Sequence, residues 1–121
     1  KQSKLTLGNI YAERDWGHAK DYVKAMWLMA QQDKPGDYVV GTGVENSVED
    51  FAKKAFNHVG LNYKDYLSID KNLMRPAEVN TLLADSSKAK KILKWEPEVS
   101  FDDLVKGMVE SDLELVTNHG Y

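Results

Sequence analysis

Two arginines in this chain occupy positions that favour the binding of an anion. Arg14 opens the sequence Arg-Asp-Trp-Gly-His, a predicted tight loop directly before an apolar helical pattern. Arg75 precedes Pro76, and the proline holds Arg75 in an extended conformation, so its guanidinium projects from a fixed backbone. A guanidinium presented in this way suits bidentate recognition of a phosphate. The two arginines are therefore the candidate anion ligands.

Each arginine also has a simpler interpretation. Arg14 and Asp15 would pair at the surface while Trp16 fills the core. Arg75 would form an exposed ion pair with Glu78, which lies shortly after it, and such a pair contributes little to stability. The residues alone leave both interpretations open.

Motifs of a reaction centre are not found in the sequence. The Gly-Thr-Gly at residues 41–43 lacks the third glycine of a dinucleotide fingerprint, and Glu45 would repel a phosphate. We interpret it as a turn at the carboxyl end of a strand, which can still border a ligand crevice. The histidines lie in unrelated contexts and no metal-ligand spacing occurs. We therefore predict no catalytic, cofactor-binding or metal-binding residue in this chain. The histidines are His18, His58 and His119.

Composition limits the possible partners. The 121 residues suffice for one domain, and a net charge of −3 gives no basic excess for nucleic acid or an anionic membrane surface. No cysteine is present, which excludes disulfides and thiol catalysis. The apolar runs are too short to span a bilayer, and the first residues do not form a signal peptide. We expect a cytoplasmic protein. Because the chain opens without Met almost directly on a strand-like run, we also expect it to be part of a longer polypeptide.

Hydrophobic periodicity predicts an α/β fold in which strands and helices alternate. Ser47 and Ser100 are the expected caps of two helices, and Gly60 suits the left-handed position that ends the first of them. Asp85 is the expected cap of a shorter helix. We predict strands in residues 4–9, 37–43 and 66–70, helices over 19–32, 47–60 and 83–93, and a last helix that frays over 117–121.

Helical spacing also predicts which side chains face inward. Because the few predicted strands do not enclose a core, we expect apolar faces that need a partner missing from this chain. The residues predicted to face inward are Tyr22, Val23, Met26, Trp27, Met29 and Ala30 in the first helix, Ala89, Ile92 and Leu93 in the third, and Leu104, Val105, Met108, Val109, Leu113 and Leu115 in the last.

The block Arg-Asp-Trp-Gly-His-Ala-Lys-Asp-Tyr-Val at residues 14–23 resembles the GDP-mannose 4,6-dehydratases, which are extended short-chain dehydrogenase/reductases. The resemblance covers nearly the whole chain, and related sugar-nucleotide enzymes keep only fragments of this block. Tyr11 departs from it, since many members carry an acidic residue there. Further matches are Leu7-Gly8-Asn9, Gly41-Thr42-Gly43, Ser47-Val48, Arg75-Pro76 with Glu78-Val79, Lys88-Ala89-Lys90, Trp95 with Pro97, and Met108-Val109-Glu110.

The resemblance implies a fold and a function. Residues 1–121 would be one C-terminal substrate-binding portion, the end of a Rossmann-type sheet plus a small, mostly helical domain. The dinucleotide-binding part and the catalytic residues would lie upstream and be absent, leaving this fragment inactive alone. The complete enzyme would be a lyase that converts GDP-mannose to GDP-4-keto-6-deoxymannose, with NADP taking a hydride from C4 and returning it at C6. It would be a homo-oligomer, a dimer or a tetramer.

The resemblance also implies roles for individual residues. Arg14 and Arg75 would bind the GDP diphosphate and its surroundings, and Glu78 would accept hydrogen bonds from the nucleoside. The backbone of Leu7, Gly8 and Asn9 would flank the base. Independently of the resemblance, Gly8 has no side chain and would let a backbone or a ligand come close. The alternatives are another extended reductase acting on a different nucleotide sugar, and a non-catalytic α/β assembly module.

Overall fold

Side-chain caps start the two helices for which serine caps are expected. In the computed structural model, which describes residues 2–120, Ser47 and Asp50 form a capping box and Ser100 Oγ accepts a hydrogen bond from the backbone N–H of Asp103. Gly60 has a φ of 73°, the left-handed conformation predicted for it. The helices are α1 (Ala19–Ala30), α2 (Val48–His58), α3 (Tyr63–Tyr66), α4 (Ser87–Leu93) and α5 (Phe101–His119).

Short strands form two small sheets. In the first, β1 (Leu5–Leu7) pairs in parallel with β4 (Leu67–Ile69). In the second, β2 (Glu13–Asp15) lies between β3 (Glu45–Ser47), which is antiparallel to it, and β5 (Thr81–Leu82), which is parallel to it. A 3-10 turn, Lys71–Leu73, follows β4. The α/β class is as predicted.

The best-buried apolar cluster lies between α1 and α4. Ala25 and Ala89 meet there with Leu93 and Trp95. The Trp95 indole is 1% exposed, and its Nε1–H donates to the backbone oxygen of Asp21 at 2.8 Å. One face of α1 is thereby fixed to the segment that follows α4.

Four sequence predictions about elements are wrong. Residues 37–42 form no strand, because a strand needs a neighbouring strand and the described chain places none beside them. Residues 14–18 do not form a loop throughout, since Arg14 and Asp15 belong to β2. The helix predicted over 83–93 begins only at Ser87, with Ser86 at the cap position. Residues 117–119 remain helical in α5, so they do not fray; Tyr121 lies outside the described residues.

Burial differs from the predicted faces in three helices, α1, α4 and α5. Val23, Met26 and Trp27 are 61%, 63% and 62% exposed, since α4 and the segment around Trp95 cover only one side of α1. The same holds for Ile92 of α4, and in α5 the predicted face is buried only near the N-terminal end, where α2 packs against it. The exposed members of that face are Met108, Leu113 and Leu115. The expectation of uncovered apolar faces is thus confirmed. Within residues 2–120, no helix combines the length and the apolar character that crossing a membrane requires.

Candidate functional site

Strand β2 directs Arg14 and Asp15 to opposite sides, because successive side chains of a strand alternate. Arg14 points to the segment that precedes β5, and Asp15 points to residues 42–43 and 84. The surface pair between Arg14 and Asp15 is therefore not formed. Each residue binds a different part of the chain.

The Arg14 guanidinium is held by the segment that leads into β5. Its Nη1 donates to the backbone oxygens of Glu13 at 2.6 Å and Val79 at 2.8 Å, and more weakly to that of Asn80 at 3.5 Å. Its Nη2 forms an ion pair with Glu78 Oε1. The side chains of Arg14 and Glu78 are 26% and 19% exposed, so this pair is partly desolvated.

These contacts leave part of the guanidinium available to a ligand. Among residues 2–120, no group accepts a hydrogen bond from Arg14 Nε, and Nη2 has one partner for its two N–H groups. Nε and Nη2 lie side by side on the planar group, and such a pair is the geometry that binds two phosphate oxygens. Arg14 is therefore fixed by the protein and keeps donor capacity at Nε and Nη2.

Arg75 is exposed and lies on the connection of residues 74–80, between the 3-10 turn and β5. Within the described part of the chain, its side chain makes no hydrogen bond or ion pair. Glu78 bonds to Arg14 instead, so the exposed Arg75–Glu78 pair is not formed either. Because Arg75 precedes Glu78 by three residues, their Cα atoms lie at most about 11 Å apart.

Residues 7–9 lie at the other end of the same connection. The backbone oxygen of Leu7 accepts from Asp70 N at 2.9 Å. Gly8 packs so closely on the 3-10 turn that a Cβ at this position would lie 2.6 Å from the backbone oxygen of Leu73. The close backbone approach expected of Gly8 is thus confirmed. The Asn9 Oδ1 accepts from Tyr11 N at 3.0 Å.

The 74–80 connection therefore links all the predicted site residues. Residues 7–9 contact the turn before it, Arg75 and Glu78 belong to it, and Arg14 binds its last residues. Their convergence on one ligand stays a prediction. The structure establishes that two arginines and one carboxylate belong to one continuous surface element and the strand that fixes it.

Asp15 holds residues 42–43 and 84 through what we call the Asp15 clamp, formed by Asp15, Thr42, Gly43 and Ala84. Its Oδ1 accepts from Thr42 N at 2.8 Å and from Thr42 Oγ1 at 2.6 Å. Its Oδ2 accepts from Gly43 N at 2.8 Å and from Ala84 N at 3.3 Å. Burial acts to raise the pKa of Asp15, but these hydrogen bonds to the charged form outweigh burial and the pKa is lowered.

The clamp decides what the Gly-Thr-Gly at residues 41–43 can bind. The N–H groups of Thr42 and Gly43, which a phosphate-binding loop would offer to its ligand, already donate to a carboxylate. Gly41 N donates to Ser86 Oγ at 3.0 Å. These residues therefore do not fit the diphosphate of a dinucleotide.

Sequence reasoning missed two carboxylates. The pairing of Asp15 with Arg14 is wrong, and the sequence pattern does not single out Asp21. Asp21 is 2% exposed, and its Oδ2 accepts from the backbone N–H of Glu98 at 3.1 Å and of Val99 at 3.0 Å. No sequence signal identifies such partners, since they lie 77 and 78 residues away.

Two of the three histidines have a hydrogen-bond partner in the described part of the chain. His18 caps α1, its Nδ1 accepting from Lys20 N, and His58 Nε2 lies 3.2 Å from Glu110 Oε1. Across residues 2–120, no group of three His, Asp or Glu side chains is placed to hold a metal ion.

Comparison with known proteins identifies the family. The family model for GDP-mannose 4,6 dehydratase matches residues 1–108. The chain is 58% identical over 114 residues to GDP-mannose 4,6 dehydratase 2 of Arabidopsis thaliana, covering 94% of this chain and 31% of that protein. It is 44% identical over 129 residues to GDP-mannose 4,6 dehydratase of Homo sapiens, covering 93% and 35%. The chain thus spans about a third of the length of these relatives.

Solved structures share the fold. A UDP-glucose 4-epimerase from Bifidobacterium longum, in complex with NAD+ and UDP, matches with a TM-score of 0.82 at 24% identity, over 99% of this chain and 37% of that one. A dTDP-glucose 4,6-dehydratase from Bacillus anthracis, in complex with NAD, matches with a TM-score of 0.81 at 20% identity, over 93% and 35%. The fold is that of the extended short-chain dehydrogenase/reductases, as predicted.

Proposed function

Since this chain belongs to the GDP-mannose 4,6-dehydratase family, we propose that it is the substrate-binding portion of a lyase that converts GDP-mannose to GDP-4-keto-6-deoxymannose. The relatives in Arabidopsis thaliana and Homo sapiens carry the name of this activity. Residues 1–121 bind the GDP end of the substrate, and the reaction centre belongs to the remaining part of the enzyme. A cytoplasmic location and assembly into a dimer or tetramer stay predictions.

One observation carries the proposal. The Arg14 guanidinium is fixed by Glu78 and by backbone oxygens of the 74–80 connection, while among residues 2–120 its Nε–H has no acceptor and its Nη2 has one partner for two N–H groups. A guanidinium that is already oriented loses little side-chain freedom when a diphosphate binds to its remaining N–H groups. Arg75, on the same connection, adds a second positive charge. The backbone around Leu7, Gly8 and Asn9 flanks the base, as the resemblance implies.

Glu78 orients Arg14 through Oε1. Its Oε2 has no hydrogen-bond partner in the described part of the chain and is the atom that accepts a hydrogen bond from the nucleoside. A carboxylate that binds a guanidinium with one oxygen and a nucleoside with the other fixes their relative position. Substrate orientation is therefore the contribution of this portion to the reaction.

The cofactor belongs to the remaining part of the enzyme. The best candidate for a dinucleotide cradle here, residues 41–43, has its N–H groups bound to Asp15 and Ser86. NADP is the cofactor that the family resemblance implies, and solved proteins of the same fold bind NAD or NADPH. No step of the reaction is assigned to a residue of this chain through that cofactor.

The uncovered side of α1 supports the division of the enzyme into two parts. Val23, Met26 and Trp27 expose an apolar face, and residues 37–42 have no strand partner among the described residues. A helix with apolar residues on opposite sides is covered on both sides in a folded protein. The dinucleotide-binding part covers this face and pairs with residues 37–42.

The proposal is tested by substitution in the complete enzyme. Arg14→Ala and Arg75→Ala should each weaken GDP-mannose binding by about 2–4 kcal/mol, because each removes a contact to a desolvated phosphate. The measurement is KM and kcat, with calorimetric binding of GDP as a second readout. Lys91→Ala, which removes an exposed cation from α4, is the matched control. Wild-type KM and kcat in both arginine variants would contradict the proposal.

A different nucleotide sugar is the alternative substrate. The fold is shared with a UDP-glucose 4-epimerase, and two arginines serve any nucleoside diphosphate equally. Turnover of GDP-mannose, UDP-glucose and dTDP-glucose by the complete enzyme separates the two. The uncovered face of α1 also fits a non-catalytic assembly module, which predicts turnover of none of the three.

A further inference from the structure

The strand that carries Arg14 also carries the Asp15 clamp, and the two side chains hold the same neighbouring strand from its two ends. Arg14 binds the residues directly before β5, through the backbone oxygens of Val79 and Asn80. Asp15 binds the residue shortly after β5, through Ala84 N. Between these contacts, β5 has only the two residues Thr81–Leu82.

So short a strand does not fix its own position. The register of β5 on β2 rests on two residue pairs, Glu13 with Thr81 and Arg14 with Leu82. Both residues of β5 are exposed, so no buried side chain selects this register over a shifted one. The hydrogen bonds that Arg14 and Asp15 make at the two ends of β5 therefore fix its register in place of buried side chains.

The clamp also has no room to adjust. A methyl group on Gly41 would overlap the methyl group of Ala84 and lie 2.9 Å from Asp15 Oδ2. Ser86 Oγ accepts from Gly41 N at 3.0 Å and donates to Gly41 O at 2.7 Å. Asp15 therefore sits where β2, residues 41–43 and residues 84–86 meet, and a change at Asp15 moves all three.

We infer that Asp15 is a positioning residue for substrate binding, which sets the register of β5 and so places Glu78 and the 74–80 connection against the Arg14 guanidinium. This inference rests on the proposed function. It adds that the binding of the nucleoside diphosphate depends on a carboxylate that does not touch it and faces the other side of β2. The charged form of Asp15 is the form that the clamp requires, and its lowered pKa is consistent with this.

The test is Asp15→Asn in the complete enzyme, because both oxygens of Asp15 accept and an amide keeps only one acceptor. We expect KM for GDP-mannose to rise by about tenfold, the size of one lost hydrogen bond to a charged group, with kcat within about twofold of wild type. Asp85→Asn is the matched control on the same segment, since Asp85 is exposed and, within residues 2–120, its side chain accepts from its neighbour Ser87.

A double variant separates positioning from general loosening. If Asp15 acts through Arg14, Asp15→Asn raises KM by a smaller factor in the Arg14→Ala enzyme than in the wild type, because the guanidinium that the 74–80 connection holds is already gone. The inference is overturned if the factor by which KM rises in the double variant equals the product of the factors in the two single variants. A wild-type KM in Asp15→Asn, when Arg14→Ala does raise KM, also overturns it. Wild-type KM and kcat in both Arg14→Ala and Arg75→Ala refute the proposed function itself, and this outcome is distinguishable from the other two.

A milder variant covers the case in which Asp15→Asn does not fold. Thr42→Val removes the hydroxyl that donates to Asp15 Oδ1 and leaves three backbone N–H groups on the carboxylate. We expect the same rise in KM at unchanged kcat, smaller than for Asp15→Asn. An unchanged KM in a folded Thr42→Val enzyme that has lost stability overturns the inference.

Discussion

Substitution of Asp by Asn should lower the free energy of unfolding by different amounts at Asp15 and at Asp21. Asp21 uses one oxygen, Oδ2, to accept from Glu98 N and Val99 N. In the Asp21→Asn protein the amide oxygen can take the place of Oδ2 and keep both hydrogen bonds, which only lose the share contributed by the charge. Asp15 uses both oxygens. In the Asp15→Asn protein the new NH2 group must face at least one backbone N–H group, whichever way the amide is oriented.

The hydrogen bonds that each carboxylate makes give the expected changes in the free energy of unfolding. For Asp21→Asn we expect a loss of about 1 kcal/mol in the free energy of unfolding, since two charge-assisted bonds become neutral ones. For Asp15→Asn we expect about 1–3 kcal/mol, because at least one backbone donor loses its acceptor. For Asp21→Ala we expect about 2–5 kcal/mol, because the site is 2% exposed and water does not replace the carboxylate. These are large fractions of a total stability of about 5–15 kcal/mol.

Urea unfolding followed by tryptophan fluorescence measures these differences, since Trp95 donates to the backbone oxygen of Asp21 and reports on this region. Asp33→Ala is the control, because Asp33 is exposed beyond the other end of α1 and its side chain makes no hydrogen bond within residues 2–120. The reasoning is refuted if Asp21→Asn costs as much as Asp21→Ala, or if Asp15→Asn is harmless.

Two further predictions concern the same region. Gly41→Ala should cost about 1–3 kcal/mol of unfolding free energy, because the new methyl group overlaps Ala84. Gly107→Ala in α5 should stabilise the protein by about 0.5–1 kcal/mol, since no described atom outside the helix backbone lies within 4 Å of its Cβ position. Equal urea midpoints for the two variants would contradict these expectations. The pKa of Asp15 is lowered on folding, so its contribution to stability is full above the unfolded pKa of about 3.9 and is lost as the pH falls through the folded value. Unfolding midpoints measured from about pH 6 to about pH 2 should therefore fall more steeply for the wild-type protein than for Asp15→Asn; parallel curves would exclude a clamp in the charged form.

Only part of the candidate site could be predicted from the sequence. The resemblance selected Arg14, Arg75 and Glu78, and the close backbone approach of Gly8 followed from its residue type. The pairing of Arg14 with Glu78 did not follow, since 64 residues separate them and nearer partners were available to both in the sequence. Which edge of the guanidinium remains available depends on that pairing.

Short-range interactions are what the sequence by itself determined. The serine caps of α2 and α5 and the left-handed Gly60 were predicted correctly because each depends on residues within about four positions. Tertiary structure alone decided the three-residue β2 and the two-residue β5, which exist only because they pair with segments far away in the chain. It also decided that one side of α1 is buried and the other exposed. Helical periodicity marks both sides of α1 as apolar, and only the position of α4 and Trp95 shows which of them is covered.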